Sequence, residues 1–303
     1  MPFSRIASVI GVSDQTVARR YTRLRAEGSL RIWGLADPTR LGHVEWVVRI
    51  RCTPDSAADV ATALARRSDT SWISRTSGGT ELVCVTQAPT PADELLLKSL
   101  PRTAKILDVT AHCLLHAFGG RAGGVVTKLD ALSPDQVGRL RPPAPDLARP
   151  VELDDLDHQI LALLRADGRA PVNRLATETG VSYSTVQRRI AELRDTGVLY
   201  FDVDTERARL GLPIRTLLWL TVTPARIEAT GTALAAHSEV AFAAAITGNR
   251  NLYASVATSS IAGVYTYLTD TVATLPDVQR LESSLVLHTV KGPPGTRVPE
   301  PAG

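Results

Sequence analysis

Leu156, Ile160, Leu163 and Leu164 return at three- and four-residue spacing, so they fall on one face of a helix running from Asp157 to about Ala166. Asp154 and Asp155 stand at its start, where acidic groups suit a helix N-terminus. Asp167-Gly168 ends it. Pro171 opens a second short helix through Leu175 and Ala176, which closes near Gly180. Ser182 is placed to cap a third helix that runs to about Arg194 and stops at Gly197. Val198 to Phe201 then reads as a strand, one arm of a small wing. Three short helices with a glycine turn before the third predict a helix-turn-helix.

Downstream, the pattern alternates between strand and helix. Thr216 to Thr223 predicts a strand and Arg226 to Ala236 a helix. Phe242 to Thr247 and Asn251 to Ala257 predict two strands around Gly248. Ile261 to about Ala273 predicts a helix, and Leu281 to Val290 a last strand. The order βαββαβ is that of a ferredoxin-like sandwich. The first half gives the same order: Trp46 to Cys52, Ser56 to Arg67, Trp72 to Thr76, Leu82 to Thr86, Ala92 to Leu100 and Ile106 to Leu115.

The two halves are related more directly than by pattern. Residues 173–211 repeat residues 4–42 at a constant offset, with Gly11-Val12-Ser13 returning as Gly180-Val181-Ser182 and Arg19-Arg20 as Arg188-Arg189. Nothing before Phe3 corresponds to Leu153 to Arg169, so the first copy lacks its first helix. The apolar face containing Ile6, Val17 and Leu24 would then stand open, unless a segment lies upstream or the copy packs elsewhere. The expected organisation is a partial winged helix-turn-helix over 1–42, a sheet domain over 43–117 and a linker over 118–150. A complete winged helix-turn-helix follows over 151–211, then a second sheet domain over 212–291 and a flexible Pro/Gly-rich tail over 292–303. Within the linker, Ser133 to Leu140 predicts a short helix.

Composition narrows the class without naming it. The chain has 303 residues, 44% hydrophobic and 21% charged, with a formal net charge of +3, as expected of a water-soluble globular protein. The arginines are unevenly placed: Arg19, Arg20, Arg23, Arg25 and Arg31 crowd the first repeat. Cys52, Cys84 and Cys113 have no metal or redox spacing, which fits reduced thiols in a cytoplasmic protein. No apolar run approaches a membrane span.

The run Leu153-Asp154-Asp155-Leu156-Asp157, with Leu175-Ala176, Gly180-Val181-Ser182, Thr185-Val186, Arg188-Arg189-Ile190 and Gly197-Val198-Leu199, resembles the Lrp/AsnC (feast/famine) transcriptional regulators. Thr247-Gly248 and Leu275-Pro276-Asp277-Val278 resemble the effector domain of that family. The resemblance spans 151–291, and residues 1–117 look like a second, diverged copy. It implies a winged helix-turn-helix joined to a ligand-responsive βαββαβ domain that dimerises. The expected fold class is therefore α+β, with both modules present twice and the first helix-turn-helix truncated.

If Val186, Ile190 and Leu193 form the core side of the third helix, Ser184, Thr185 and Arg188 face outward, with Gln187 and Arg189 on the flanks. Gln and Arg at such positions can make two-pronged contacts to bases in the major groove of double-stranded DNA. The equivalents in the first copy are Gln15, Thr16, Arg19, Arg20 and Arg23. For a small-molecule effector, an amino acid in this family, the resemblance points to the turn between the second and third strands: Gly248 and Asn251 in one copy, Gly78 and Glu81 in the other. Both glycines could equally serve only a hairpin turn. His112-Cys113-Leu114-Leu115-His116 reads as packed or edge histidines rather than a metal site.

These residues predict a DNA-binding regulator, with the two sheet domains pairing as an intrachain pseudo-dimer and further homo-oligomerisation left open. Siroheme decarboxylases are similar to this family in both modules, but their His-Cys-Tyr run is missing here; the nearest string is His112-Cys113-Leu114. The expectation is a chain that is not an enzyme and carries no cofactor and no metal. The alternatives are a siroheme decarboxylase-like enzyme, or a ligand-binding protein with a vestigial helix-turn-helix.

Overall fold

The computed structural model describes residues 1–90, 95, 99–100, 102–121, 124, 128–129 and 131–293. In the first half, α1 (Phe3–Ile10), α2 (Asp14–Ala26) and β1 (Leu30–Ala36) precede β2 (Val44–Cys52), α3 (Ala57–Arg66), β3 (Thr70–Thr76), β4 (Glu81–Ala88) and β5 (Ile106–Gly119). The helix expected over Ala92 to Leu100 lies largely outside the described residues, as does most of the tail. A short helix, α4 (Pro134–Leu140), occupies the connection. The second half contains α5 (Asp155–Ala166), α6 (Val172–Thr179), α7 (Tyr183–Asp195), β6 (Leu199–Thr205), β7 (Ile214–Val222), α8 (Ile227–Ala236), β8 (Val240–Ile246), β9 (Leu252–Thr258), α9 (Ile261–Thr266) and β10 (Val278–Lys291).

Local chemistry sets the helix ends. Ser182 Oγ accepts from the Thr185 amide at 3.2 Å, and Ser13 Oγ from the Thr16 amide at 3.1 Å, so both copies cap the third helix alike. Asp154 and Asp157 exchange side-chain and backbone hydrogen bonds at the start of α5. Gly11 and Gly180 end α1 and α6 at φ 72°, the left-handed conformation that glycine adopts without strain. The helix expected from Ile261 to Ala273 is instead interrupted. After Thr266 the chain widens into a π turn over Tyr267–Thr271 and tightens over Val272–Thr274. The wider turn brings residues five apart towards one face, and Tyr267 and Val272 are both buried.

The chain divides into two compact units, each built from both halves: residues 1–36 with 122–210, and residues 37–121 with 211–303. In the first unit, β1 and β6 pair antiparallel from Leu30–Thr205 to Ala36–Leu199. The wing strands of the two repeats therefore complete each other, and β6 extends past the expected Phe201. Helix α5 lies on β1 so closely that a Cβ on Gly34 would stand 2.8 Å from Leu164 Cβ. Gly168 donates its amide to Ile32 O at 2.8 Å. Helix α4 lies against α1, where Gln136 donates to Val9 O and Arg5 to Arg139 O.

In the second unit, eight strands close a ring of pairings in the order β10-β3-β4-β2-β5-β8-β9-β7. Two long strands make the closure. β5 pairs with β2 through Cys113 and then with β8 from Leu114, while β10 pairs with β7 through Leu285 and then with β3 from Val286. Two helix-facing cores result. One gathers Ile50, Leu64, Ile73 and Leu82, the other Leu218, Leu234, Leu252 and Tyr267. A third apolar cluster lies between the sheets, with Val47, Val83, Leu217, Trp219, Ile246 and Tyr253.

Candidate nucleic-acid interface and effector cleft

Helix α7 is anchored from below. Val186 and Leu193 are buried, and α5 contributes Ile160, Leu161 and Leu164 to the buried set. The outer face presents Ser184, Gln187 and Arg188 to solvent, with Thr185 half-buried. Tyr183, an exposed aromatic at the first turn, joins this surface and was absent from the expected contacts. Its position one residue after the cap was the available signal.

Two of the three α7 arginines, Arg188 and Arg189, differ in what they engage. Arg188 is exposed and donates to Glu192 Oε1 at 2.8 Å along the helix. Arg189 instead turns back to α5. It donates to Asp157 Oδ1 at 3.0 Å and Asp154 Oδ2 at 2.7 Å, and also reaches Glu192. Burial works against the Arg189 charge, but Asp157 and Asp154 outweigh it and raise its pKa. The hydrogen bond from Arg188 is the main cause that lowers the Glu192 pKa. Arg189 thus fastens α7 to the start of α5, leaving Arg188 as the outward member of the pair.

In the first copy, Gln15, Arg19, Arg20 and Arg23 are exposed and Thr16 is half-buried. No residue of α2 is buried. Arg20 occupies the position of Arg189 but has no acidic partner among the described residues. Arg23 stands where the second copy has Glu192 and approaches only Glu27, at 3.8 Å. One end of this copy is held by Arg169, whose guanidinium lies 4.2 Å from the Phe3 ring and 5.1 Å from Tyr21.

The expected effector residues separate. Gly248, with φ 104°, lines a cleft of about 370 Å³ together with Arg49, Thr110, Ala111, His112, Asn249 and Arg250. A Cβ on Gly248 would meet His112 Nδ1 at 2.8 Å, so glycine is required by the approach as well as by the turn. His112 is itself buried, with Nδ1 2.7 Å from Thr247 O. Asn251 does not line the cleft. Its Oδ1 accepts from the Val222 amide and its Nδ2 donates to Val222 O, tying the turn to β7. Gly78 lies in the opposite turn, outside the cleft, at φ 70°. Glu81 is buried, accepting from Arg49 Nε at 2.9 Å and from Thr76 Oγ1 at 2.8 Å.

Arg49 connects the cleft to the interior. It also donates to Glu282 at 2.6 Å, and its guanidinium lies 4.2 Å from the Trp219 ring. Burial disfavours its charge, yet Glu282 and Glu81 raise its pKa overall; in return, the hydrogen bond from Arg49 lowers that of Glu282. The sequence reading passed over Arg49. A charged residue inside the apolar run of Trp46 to Cys52 was the signal. Among the described residues, no three His, Cys, Asp or Glu side chains gather as a metal site, and no helix is long and apolar enough to cross a membrane.

Two parts of the chain match known domain families. The AsnC-type helix-turn-helix domain matches residues 153–194, and the Lrp/AsnC ligand binding domain matches residues 216–295. The HTH-type transcriptional regulator FL11 of Pyrococcus horikoshii is 27% identical over 142 residues, covering 46% of this chain and 93% of that protein. Regulatory protein AsnC of Haemophilus influenzae is 27% identical over 138 residues, covering 45% and 92%. A different likeness extends along the whole chain. The siroheme decarboxylase NirDL has the same fold over 96% of this chain and 86% of its own, with a TM-score of 0.66 and 14% identity. That finding corrects the expectation that the chain is not an enzyme, because a protein with this complete architecture is one. At this identity the likeness concerns the fold, and a fold hosts more than one chemistry.

Proposed function

We propose that the chain is a sequence-specific, DNA-binding transcriptional regulator acting in the cytoplasm, on the strength of the AsnC-type helix-turn-helix match over residues 153–194 and the Lrp/AsnC ligand binding match over residues 216–295. The observation that carries this reading is α7: a family-matched third helix, fixed by Val186, Leu193 and Arg189, that turns Ser184, Gln187 and Arg188 outward. In this reading the domains keep their chain order: 1–42, 43–117, 118–150, 151–211, 212–291 and a tail. They are two family units in tandem. Pairing of β5 with β8 and of β3 with β10 supports treating the sheet modules as an intrachain pseudo-dimer. Because α2 and α7 differ in sequence, the operator is asymmetric rather than palindromic. The effector is an amino acid or another small metabolite held near Gly248, with His112, Arg49 and Arg250 around it.

The test is fluorescence anisotropy of the full chain on duplexes from its own upstream region, against scrambled duplexes. Arg188→Ala is expected to cost about 1–3 kcal/mol on the operator and to relax discrimination between the two. Equal binding of operator and scrambled duplexes by the wild type, across a selected library of duplexes, would overturn the reading. The whole-chain likeness favours a second reading, an enzyme acting on a tetrapyrrole. NirDL has been crystallised with an iron-uroporphyrin III analogue. Titration with that analogue, followed by its visible absorption, would show saturable binding only if this second reading holds.

A further inference from the structure

A carboxylate already sits between the two arginines that line the Gly248 cleft. Glu282 Oε1 accepts from Arg49 Nη2 at 2.6 Å, and its Oε2 lies 2.7 Å from Arg250 Nη2. Arg49 and Arg250 line the cleft, whereas Glu282 does not. The Arg250 and Glu282 side chains are 37% and 30% exposed, so the bridge between them can open to solvent without unpacking a core. Arg250 Nε is shielded from solvent and has no hydrogen-bond partner among the described residues. A buried donor of this kind is stabilised by a ligand oxygen that accepts from it.

The charge around the cleft is one-sided. Among the described residues lining it there is no carboxylate. The first-copy turn carries Glu81, but Glu81 is buried against Arg49 and Thr76. The same place in the second copy is Asn251, whose amide is spent on the Val222 backbone. His112 Nδ1 is taken by Thr247 O. An ammonium group in the cleft would meet two guanidinium groups and no lining carboxylate, and a desolvated cation without a partner is unfavourable. Nor is the arrangement repeated at the other turn. There, Thr80 stands in the place of Arg250, and Trp219 in that of Arg49.

We propose that Glu282 is a stand-in for the ligand: a small carboxylic acid without an amino group enters the cleft, takes over the contact with Arg49 and Arg250 and releases Glu282, in a single site per chain. Its role as an effector rests on the regulator reading above, which it narrows from an amino acid or other metabolite to an amine-free acid. The guanidinium pair that holds Glu282 supplies the same charge-assisted bonds to a free carboxylate. Only molecules with Glu282 swung out are competent to bind, so Glu282 lowers the apparent affinity.

The test titrates the full chain with pyruvate and 2-oxoglutarate, and with alanine and glutamate, which share their carbon skeletons. Binding is followed through the amide resonances of Gly248, Asn249 and Arg250. The oxo acids should saturate one site and bind about tenfold more tightly than the matching amino acids. Glu282→Gln should tighten the oxo acids roughly tenfold, because the internal competitor is gone. Arg250→Ala should weaken them by about tenfold or more. Three results would overturn the proposal: amino acids binding as tightly as the oxo acids, unchanged or weaker oxo-acid binding in Glu282→Gln, or no oxo-acid binding by either the wild type or Glu282→Gln. Thermal unfolding of both variants guards against misfolding. Failure of the acids on a chain that still selects its operator would strike this inference and leave the regulator reading. Oxo-acid binding by a chain that binds no duplex would strike the regulator reading and leave the ligand assignment.

Discussion

Val17 and Val186 occupy the same place in a repeat, as do Leu24 and Leu193, yet only the second member of each pair is buried. The difference comes from what lies against each helix. Helix α5 brings twelve residues, among them Ile160, Leu161, Leu164 and the buried Asp157 that receives Arg189. Helix α4, against α1 in the other copy, has seven residues and none buried. Its contacts to α1 include the Gln136 side chain donating to Val9 O and Arg139 O accepting from Arg5. Similar sequences therefore give a packed helix with paired arginines in one place and a basic helix without a buried residue in the other.

This contrast can be broken by core truncation first. Leu193→Ala should cost about 2–5 kcal/mol, the usual range for a buried leucine. Leu24→Ala should cost less than about 1 kcal/mol, as for a residue outside a packed core. Amide hydrogen exchange in α7 and α2 resolves the two losses locally; equal losses would mean that α2 is as well anchored as α7.

Removing the ion pair is the next largest perturbation. Asp157→Ala leaves Arg189 half-partnered. Breaking a fully buried pair costs about 3–5 kcal/mol, and because the Arg189 side chain keeps 20% exposure, roughly 2–3 kcal/mol is expected here. Arg20→Ala, at the equivalent position of the first copy, should stay within about 0.5 kcal/mol. Thermal unfolding of both variants checks the difference.

Acid should have the smallest effect. The Asp154 and Glu192 pKa values are lowered in the folded chain, the first chiefly by a backbone hydrogen bond from Asp157 and the second by Arg188. Their contribution is present above the ordinary carboxylate range and is lost as pH falls through their depressed values. Protection of α7 from exchange should decline modestly below that range, since both groups are largely solvated. Asp154→Asn should remove part of the decline, and a profile identical to the wild type would show that this carboxylate is not a contributor.

Much of this was legible in the chain. The caps Ser13 and Ser182, the glycine stops at Gly11 and Gly180, and the strands around Gly248 depend on residues a few positions apart, and their elements form where the local pattern puts them. The candidate site was legible only as composition. Arg188 and Arg189 look interchangeable in sequence, and their separation into an outward and an inward arginine depends on Asp154 and Asp157, more than thirty positions away. The same holds for Glu81 and Asn251. Both suit a ligand turn by residue type, and both are engaged within the fold, by Arg49 and by the Val222 backbone.

By itself the sequence determined the caps and glycine stops of α2, α6 and α7 and the order of the described strands, because each follows from short-range periodicity and backbone preference. Tertiary structure alone decided which strands meet. β5 and β10 each run fourteen residues and change partners midway, at Leu114 and Val286, and β1 finds β6 across the chain. A strand's alternation says which face is apolar but not whose edge it joins. That choice is settled by the packing of Val47, Leu217 and Trp219 between two sheets, and by Leu164 lying against Gly34.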